Sequence, residues 1–244
     1  MKRKLWMSAV ALAAFVLILL VRFPAQWAVG ALPRDTQCEQ LDGTLWAGGC
    51  SGLTTQGNRL GDLTWTLHPL RLLAGSLALD LNLTQPATSM AASAHVECSL
   101  GGTLAARNVH AHLMLDHSLF KQLPPSMHGY LDAELAALRW DGKRITALQG
   151  QIDVRGLEAD QTTPLGDYRL SFPGGPGEPV GALKDIGGPL AVEGTLRLTP
   201  EPGYVVAGVV AARPSAPPQL AQQIRYLGSP DAEGRRPFSF AGTF

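Results

Sequence analysis

Apolar and polar residues alternate through most of the chain. Leu77, Leu79, Leu81 and Leu83 are separated by Ala78, Asp80 and Asn82, and successive strand side chains leave opposite faces, so the leucines share one face and the polar groups the other. Leu63, Trp65 and Leu67 repeat the pattern just before them. It returns in Val109, Ala111, Leu113 and Leu115, in Leu148, Gly150, Ile152 and Val154, and in Tyr168, Leu170 and Phe172. Val192, Gly194, Leu196 and Leu198 follow, then Val205, Ala207 and Val209. Strands with one apolar face belong to an antiparallel sheet, since strands of a buried parallel sheet read as continuous apolar runs. Asp141-Gly142 reads as a hairpin turn and Pro200 to Gly203 as a second reversal. Helices are few. Ser118 to Leu123 suits one short helix stopped by Pro124 and Pro125. Pro218 to Leu227 suits another, with proline at its start, Leu220, Ile224 and Leu227 on one stripe, and Gly228 past its end. Pro173 to Pro189 is rich in Gly and Pro without a period, and reads as a flexible loop of residues 173–189.

One segment breaks the alternation altogether. Lys2, Arg3 and Lys4 precede an uncharged run from Leu5 to Val21, about 17 residues and so at the lower limit for a membrane span. Phe23 to Val29 extends it past Arg22, whose long side chain can reach the headgroups. The basic cluster belongs on the cytoplasmic side, which sends the rest of the chain outward. A competing reading is a cleaved signal peptide, because Ala28 and Gly30 give the small-x-small form before Ala31. Arg22, Pro24 and Trp27 between run and cleavage point favour an uncleaved anchor. The expected organisation is a cytoplasmic tip and transmembrane signal anchor over residues 1–30, then one periplasmic β-rich domain over residues 31–244.

Charge adds an exclusion. Twenty basic residues balance twenty acidic ones in 244, and 16% of positions are charged, so nothing draws the chain to nucleic acid. Cys38, Cys50 and Cys98 all follow the apolar run, in a compartment where disulfides persist. Cys38 and Cys50 are nearest in sequence and are the expected pair, with Cys50–Cys98 as the alternative. His110 and His112 leave one face of a strand, with Asp116 and His117 near, but no third ligand stands at a characteristic metal spacing. No metal, cofactor or catalytic residue is expected. The sequence holds no phosphate-binding loop, nucleophile elbow or zinc-protease helix, and the chain is read as a non-enzyme.

An ordered set of motifs carries a family resemblance. Gly43, Thr44, Leu45, Trp46 and Gly48 are followed by Leu60, Gly61, Leu63 and Trp65, then by Pro69, Leu72, Leu73 and Gly75, and then by the leucine-alternating strand. In this order the chain resembles protein N of the bacterial type II secretion system, and more distantly the AsmA-like envelope proteins. The resemblance implies a curved, largely antiparallel sheet and an accessory role in the inner membrane, in export of folded proteins across the outer membrane. The partners implied are other secretion components, the inner-membrane platform first and the secretin as a further candidate. The more distant likeness implies lipid held in an apolar groove instead. Physically the quoted residues are structural: two tryptophan anchors on neighbouring strands, with glycines where backbone must bend or approach.

Overall fold

The computed structural model describes residues 22–26, 35–117, 124–160, 162–175, 177–200 and 203–243. The expected membrane anchor and the helix over 118–123 therefore lie largely or wholly outside the described residues. Among the described residues no helix is long and apolar enough to cross a membrane.

Among the described residues fourteen strands form one antiparallel sheet. In chain order they are β1 (Thr36–Gln37), β2 (Gln40–Gly43), β3 (Ala47–Thr55), β4 (Asn58–Leu67), β5 (Ser76–Gln85), β6 (Met90–Ser99) and β7 (Leu104–Leu115). The second half holds β8 (His128–Trp140), β9 (Ile145–Ala159), β10 (Thr163–Pro173), β11 (Val180–Gly187), β12 (Leu190–Thr199), β13 (Gly203–Ala212) and β14 (Arg236–Thr243). From β3 onward each strand pairs with the next, and β1 and β2 share the free edge of β3. Helix α1 (Pro69–Leu72) joins β4 to β5, and α2 (Pro218–Ile224) lies between β13 and β14.

A meander sends alternate turns to opposite ends of the sheet. One end carries the β2–β3 turn, α1, and the turns after β6, β8, β10 and β12; α2 marks the other. The Asp141 turn belongs to the first: its carboxylate accepts the N–H groups of Lys143 and Arg144 at 2.9 Å each. The backbone hydrogen bonds, Arg144 first, hold that carboxyl below its ordinary pKa.

The sheet curls so that its second half packs on itself. Leu148, Phe172 and Leu198 form a buried cluster with Leu135, Leu138, Ile145, Ile152 and Leu170 against it, so β8, β9 and β10 face β12 across a trough. Leu220 and Ile224 of α2 plug the far end against Leu190 and Val210. Leu227, expected on the same stripe, is 44% exposed: the chain tightens to a 3₁₀ turn over Arg225–Leu227, and three residues per turn rotates it off the buried face.

Two expectations are corrected. The segment 173–189 is not all loop, because β11 occupies Val180–Gly187 and pairs with both β10 and β12. Its period was hidden because an inward position is a glycine. Phe172 fills that space, and a Cβ on Gly181 would stand 2.7 Å from its ring. In β13 the buried side chains are Val206 and Val210, not the face of Val205, Ala207 and Val209. Both parities of that strand are apolar. The register decides, placing Val206 opposite Leu196 and Val210 opposite Val192.

Candidate functional site

The motif residues build one corner of the sheet. Gly43, at φ +91°, ends β2 in the left-handed region open to glycine. Thr44 closes the turn, its N–H donating to the Ala47 carbonyl at 2.9 Å and its hydroxyl accepting from the Ala47 N–H at 3.2 Å. Trp65 lies over Gly48, where a Cβ would come within 2.5 Å of the indole, and its indole N–H donates to the Leu45 carbonyl at 3.2 Å. The Leu67 N–H donates to Trp46 at 2.6 Å. Leu63 shares β4 with Trp65, while Leu60 and Gly61 lie toward its opposite end. Pro69 opens α1, Leu72 ends it, and Leu73 and Gly75 form the turn into β5.

Phe23 and Pro24 join this same corner. The Leu45 N–H donates to the Phe23 carbonyl at 2.9 Å, and Pro24 bridges Thr44. The stretch that follows the N-terminal apolar run is therefore held at the α1 end. Three leucines stand in solvent at that end, Leu70 at 78% exposed, Leu73 at 87% and Leu100 at 92%, whereas the α2 end exposes Tyr226 at 82%. Leu100 adjoins α1, its N–H reaching the Gly75 carbonyl at 3.4 Å. No pattern along the chain marks this tip, because leucines in a four-residue helix read as core until packing is seen.

Beside the tip the trough opens as a cavity of about 930 Å³, walled by Leu104, Leu138, Trp140 and Ile145 on one side and Leu198 and Pro200 on the other. Lys143 and Arg144 stand at its lip. Further toward the N-terminus the same apolar face carries Leu77, Leu79, Leu81 and Leu83, all half-buried. Neither buried cluster includes them, so this part of the face is partly open.

The opposite face is a charged ladder. Asp153, 3% exposed, takes a two-point grip from Arg169 at 2.7 Å each and a contact from Arg155 at 3.3 Å. The Arg169 hydrogen bond, against the opposing effect of burial, holds its carboxyl below the ordinary carboxylate range. Arg155 also reaches Asp132 at 3.5 Å, and Asp132 accepts from His112 at 2.5 Å. His112 stacks on Tyr130. His110 is exposed and stands opposite Glu134. The set His110, His112, Asp116 and His117 is thus not assembled as metal ligands; the one such set among the described residues is His68, Asp80 and His95. Burial pushes the Tyr168 hydroxyl up to about 12, and it donates to the Leu165 carbonyl at 2.6 Å.

Cys38 and Cys50 meet as a disulfide pair with Cα atoms 5.7 Å apart, joining the β1–β2 segment to β3. Cys98 is free and half-buried.

The class of protein these features define is an open antiparallel β-meander scaffold with part of its apolar face uncovered. Comparison with known proteins names the group. The family described as type II secretion system (T2SS), protein N, matches residues 35–239, and the chain belongs to it. A type II secretion system protein N of Aeromonas hydrophila is 28% identical over 251 residues, covering 99% of both chains. One from Vibrio cholerae serotype O1 is 27% identical over 233 residues, covering 91% of this chain and 92% of its own. No solved structure matches.

Proposed function

We propose that this type II secretion component is anchored in the inner membrane by the apolar run Leu5 to Val21, with Phe23 and Pro24 already on the sheet rather than extending the span, projects its sheet into the periplasm, and acts by binding rather than by catalysis. The observation that carries the reading is the tether of Phe23 and Pro24 to Thr44 and Leu45. It sets the exit of the N-terminal apolar run at the end bearing Leu70, Leu73 and Leu100. That end rests on the periplasmic surface of the bilayer, its leucines in the interface and Arg71, Lys143 and Arg144 among the headgroups. Each leucine fully withdrawn from water contributes about 1.5–3 kcal/mol. The half-open face of Leu77 to Leu83 and the free edges at β1, β2 and β14 remain in the periplasm for other secretion proteins, the inner-membrane platform or the secretin.

The test is photocrosslinking in the native envelope. A photoreactive residue at Leu73 should capture lipid and one at Leu81 a secretion component. Protein alone at Leu73 removes the seating, and no secretion component at Leu81 removes that face as the contact. A second reading has its own support in the trough. Apolar walls with two cations at the lip suit an acyl chain with an anionic head, as in a lipid-groove protein for envelope lipid binding or transfer. Lipid retained in stoichiometric amount by the purified protein, with crosslinks at Trp140 and none to secretion proteins, would favour it.

A further inference from the structure

On the polar face near α1, three elements bring two imidazoles to one carboxylate. Asp80 of β5 stands directly opposite His95 of β6. His68 follows the last residue of β4 and is fixed by its N–H, which donates to the Ala78 carbonyl at 2.8 Å. His68 Nε2 lies 2.7 Å from Asp80 Oδ2, and His95 Nδ1 lies 2.6 Å from Asp80 Oδ1. The other ring nitrogen of His95, Nε2, faces Glu97 Oε1 at 3.5 Å. That oxygen is buried and accepts no hydrogen bond, while Arg71 and Arg107 flank the carboxylate at 3.7 Å.

Proton counting at His95 does not close. A neutral imidazole carries one N–H. Placed on Nδ1 it serves Asp80, and the Nε2 lone pair then faces the Glu97 oxygen; placed on Nε2 it serves Glu97, and the Nδ1 lone pair faces Asp80. One of two buried or half-buried carboxylates is left against another acceptor in either tautomer. A cation between Nδ1 and Asp80 removes the conflict.

We propose that His68, Asp80 and His95 bind a divalent transition-metal ion, zinc by the chemistry of its nitrogen and oxygen donors, with Glu97 as the outer partner of His95. Zinc takes imidazole and carboxylate ligands at about 2.0–2.2 Å in a tetrahedron, which sets neighbouring donors roughly 3.3 Å apart. The three ligand atoms here lie within 4.8 Å of one another, and the two short contacts need open by only about 0.7 Å. His95 then ligates through Nδ1 and donates Nε2–H to Glu97, the carboxylate–histidine–metal relay that orients a ligand ring. Asp80 offsets part of the ion's charge, while Glu97, already flanked by Arg71 and Arg107, acts only as the acceptor that orients His95. A fourth position stays open to water or to a partner's side chain.

The experiment is equilibrium dialysis of the full, tag-free chain in detergent, stripped of metal and titrated with zinc. One ion per chain is expected. H68A and H95A should each weaken binding by roughly 100-fold and E97Q by about 10-fold or more, while H112A, in a separate pair with Asp132, should match the native chain. Cobalt should give the visible spectrum of a low-coordinate site, lost in H95A. Far-UV circular dichroism confirms that each variant is folded. Absence of stoichiometric zinc uptake by the native chain overturns the proposal, leaving a bound proton as the cation between His95 and Asp80. Unchanged binding by folded H68A and H95A overturns it as well.

Discussion

The two halves of the sheet share one alternating pattern and one antiparallel pairing, yet only the second half encloses what it buries. From β8 to β14 the curl brings Leu148 and Phe172 against Leu198, and α2 plugs the end with Leu220 and Ile224. From β3 to β7, Leu77, Leu79, Leu81 and Leu83 stay half-buried and belong to neither buried cluster. Alternation therefore specifies a face, and curvature decides whether that face becomes core or surface. The closed half supplies cohesion; the open half carries the disulfide, the exposed leucine tip and the histidine cluster.

Core truncation should separate the halves most. Phe172→Ala removes a ring packed over Gly181 and should cost about 3–5 kcal/mol, read as a fall in urea midpoint. Leu81→Ala, on the open half, should cost about 1 kcal/mol. Equal losses would mean that the leucine face of the first half is covered in solution, by a second copy or by bound lipid. Next comes the disulfide. With Cys38 and Cys50 separated by 12 in sequence, reduction should cost about 3 kcal/mol on the chain-entropy estimate. The loss should fall on the β1–β3 edge, seen as faster amide exchange there and unchanged exchange in β9 to β13. Mass mapping that finds both thiols free removes this prediction.

Acid should also tell the halves apart. The Arg169 hydrogen bond holds Asp153 below its usual pKa, so below about pH 4 the unfolded chain binds the proton more readily. Its stabilisation is full above the unfolded pKa and is lost as pH falls through the folded one. Asp153→Asn should cost about 1.5–3 kcal/mol at neutral pH and flatten the acid limb of the stability curve. The hydrogen bonds from His95 and then His68 lower Asp80 in the same sense, but its side chain is 43% exposed, so solvent screens it. D80N should flatten that limb less. The reverse order would put the dominant carboxylate in the open half.

What could be read from the sequence follows from how local each signal is. The leucine strand, the Asp141 turn and the helix from Pro218 depend on neighbours a few residues away, and they stand where the pattern set them. The strand β11 was hidden because Gly181 makes room for a ring from β10, a fact of packing and not of period. The buried parity of β13 was undecidable because Val205 and Val206 are equally apolar, and only the register with β12 chooses. His68, Asp80 and His95 come from three elements and meet only through the pairing of β4, β5 and β6. No spacing announces them. The pair His110 and His112, which spacing did announce, is divided by its partners, since Asp132 takes His112 alone.

The smallest effect on stability belongs to the leucine tip, and it tests whether exposed apolar residues on the open half serve the fold at all. Leu70 and Leu73 are so exposed that L70S with L73S should shift unfolding by less than about 0.5 kcal/mol. In the membrane the same change withdraws two side chains from the interface, each contributing about 1.5–3 kcal/mol when fully buried there. A photoreactive residue at Leu72 between them should therefore capture lipid in the native background and several-fold less in the double variant, at equal urea midpoint. A lowered midpoint would mean that α1 packs into the sheet more deeply than its exposure indicates. An unchanged lipid yield would mean that the tip meets no membrane and that Phe23 and Pro24 hold the sheet away from the bilayer, leaving these leucines for a protein partner.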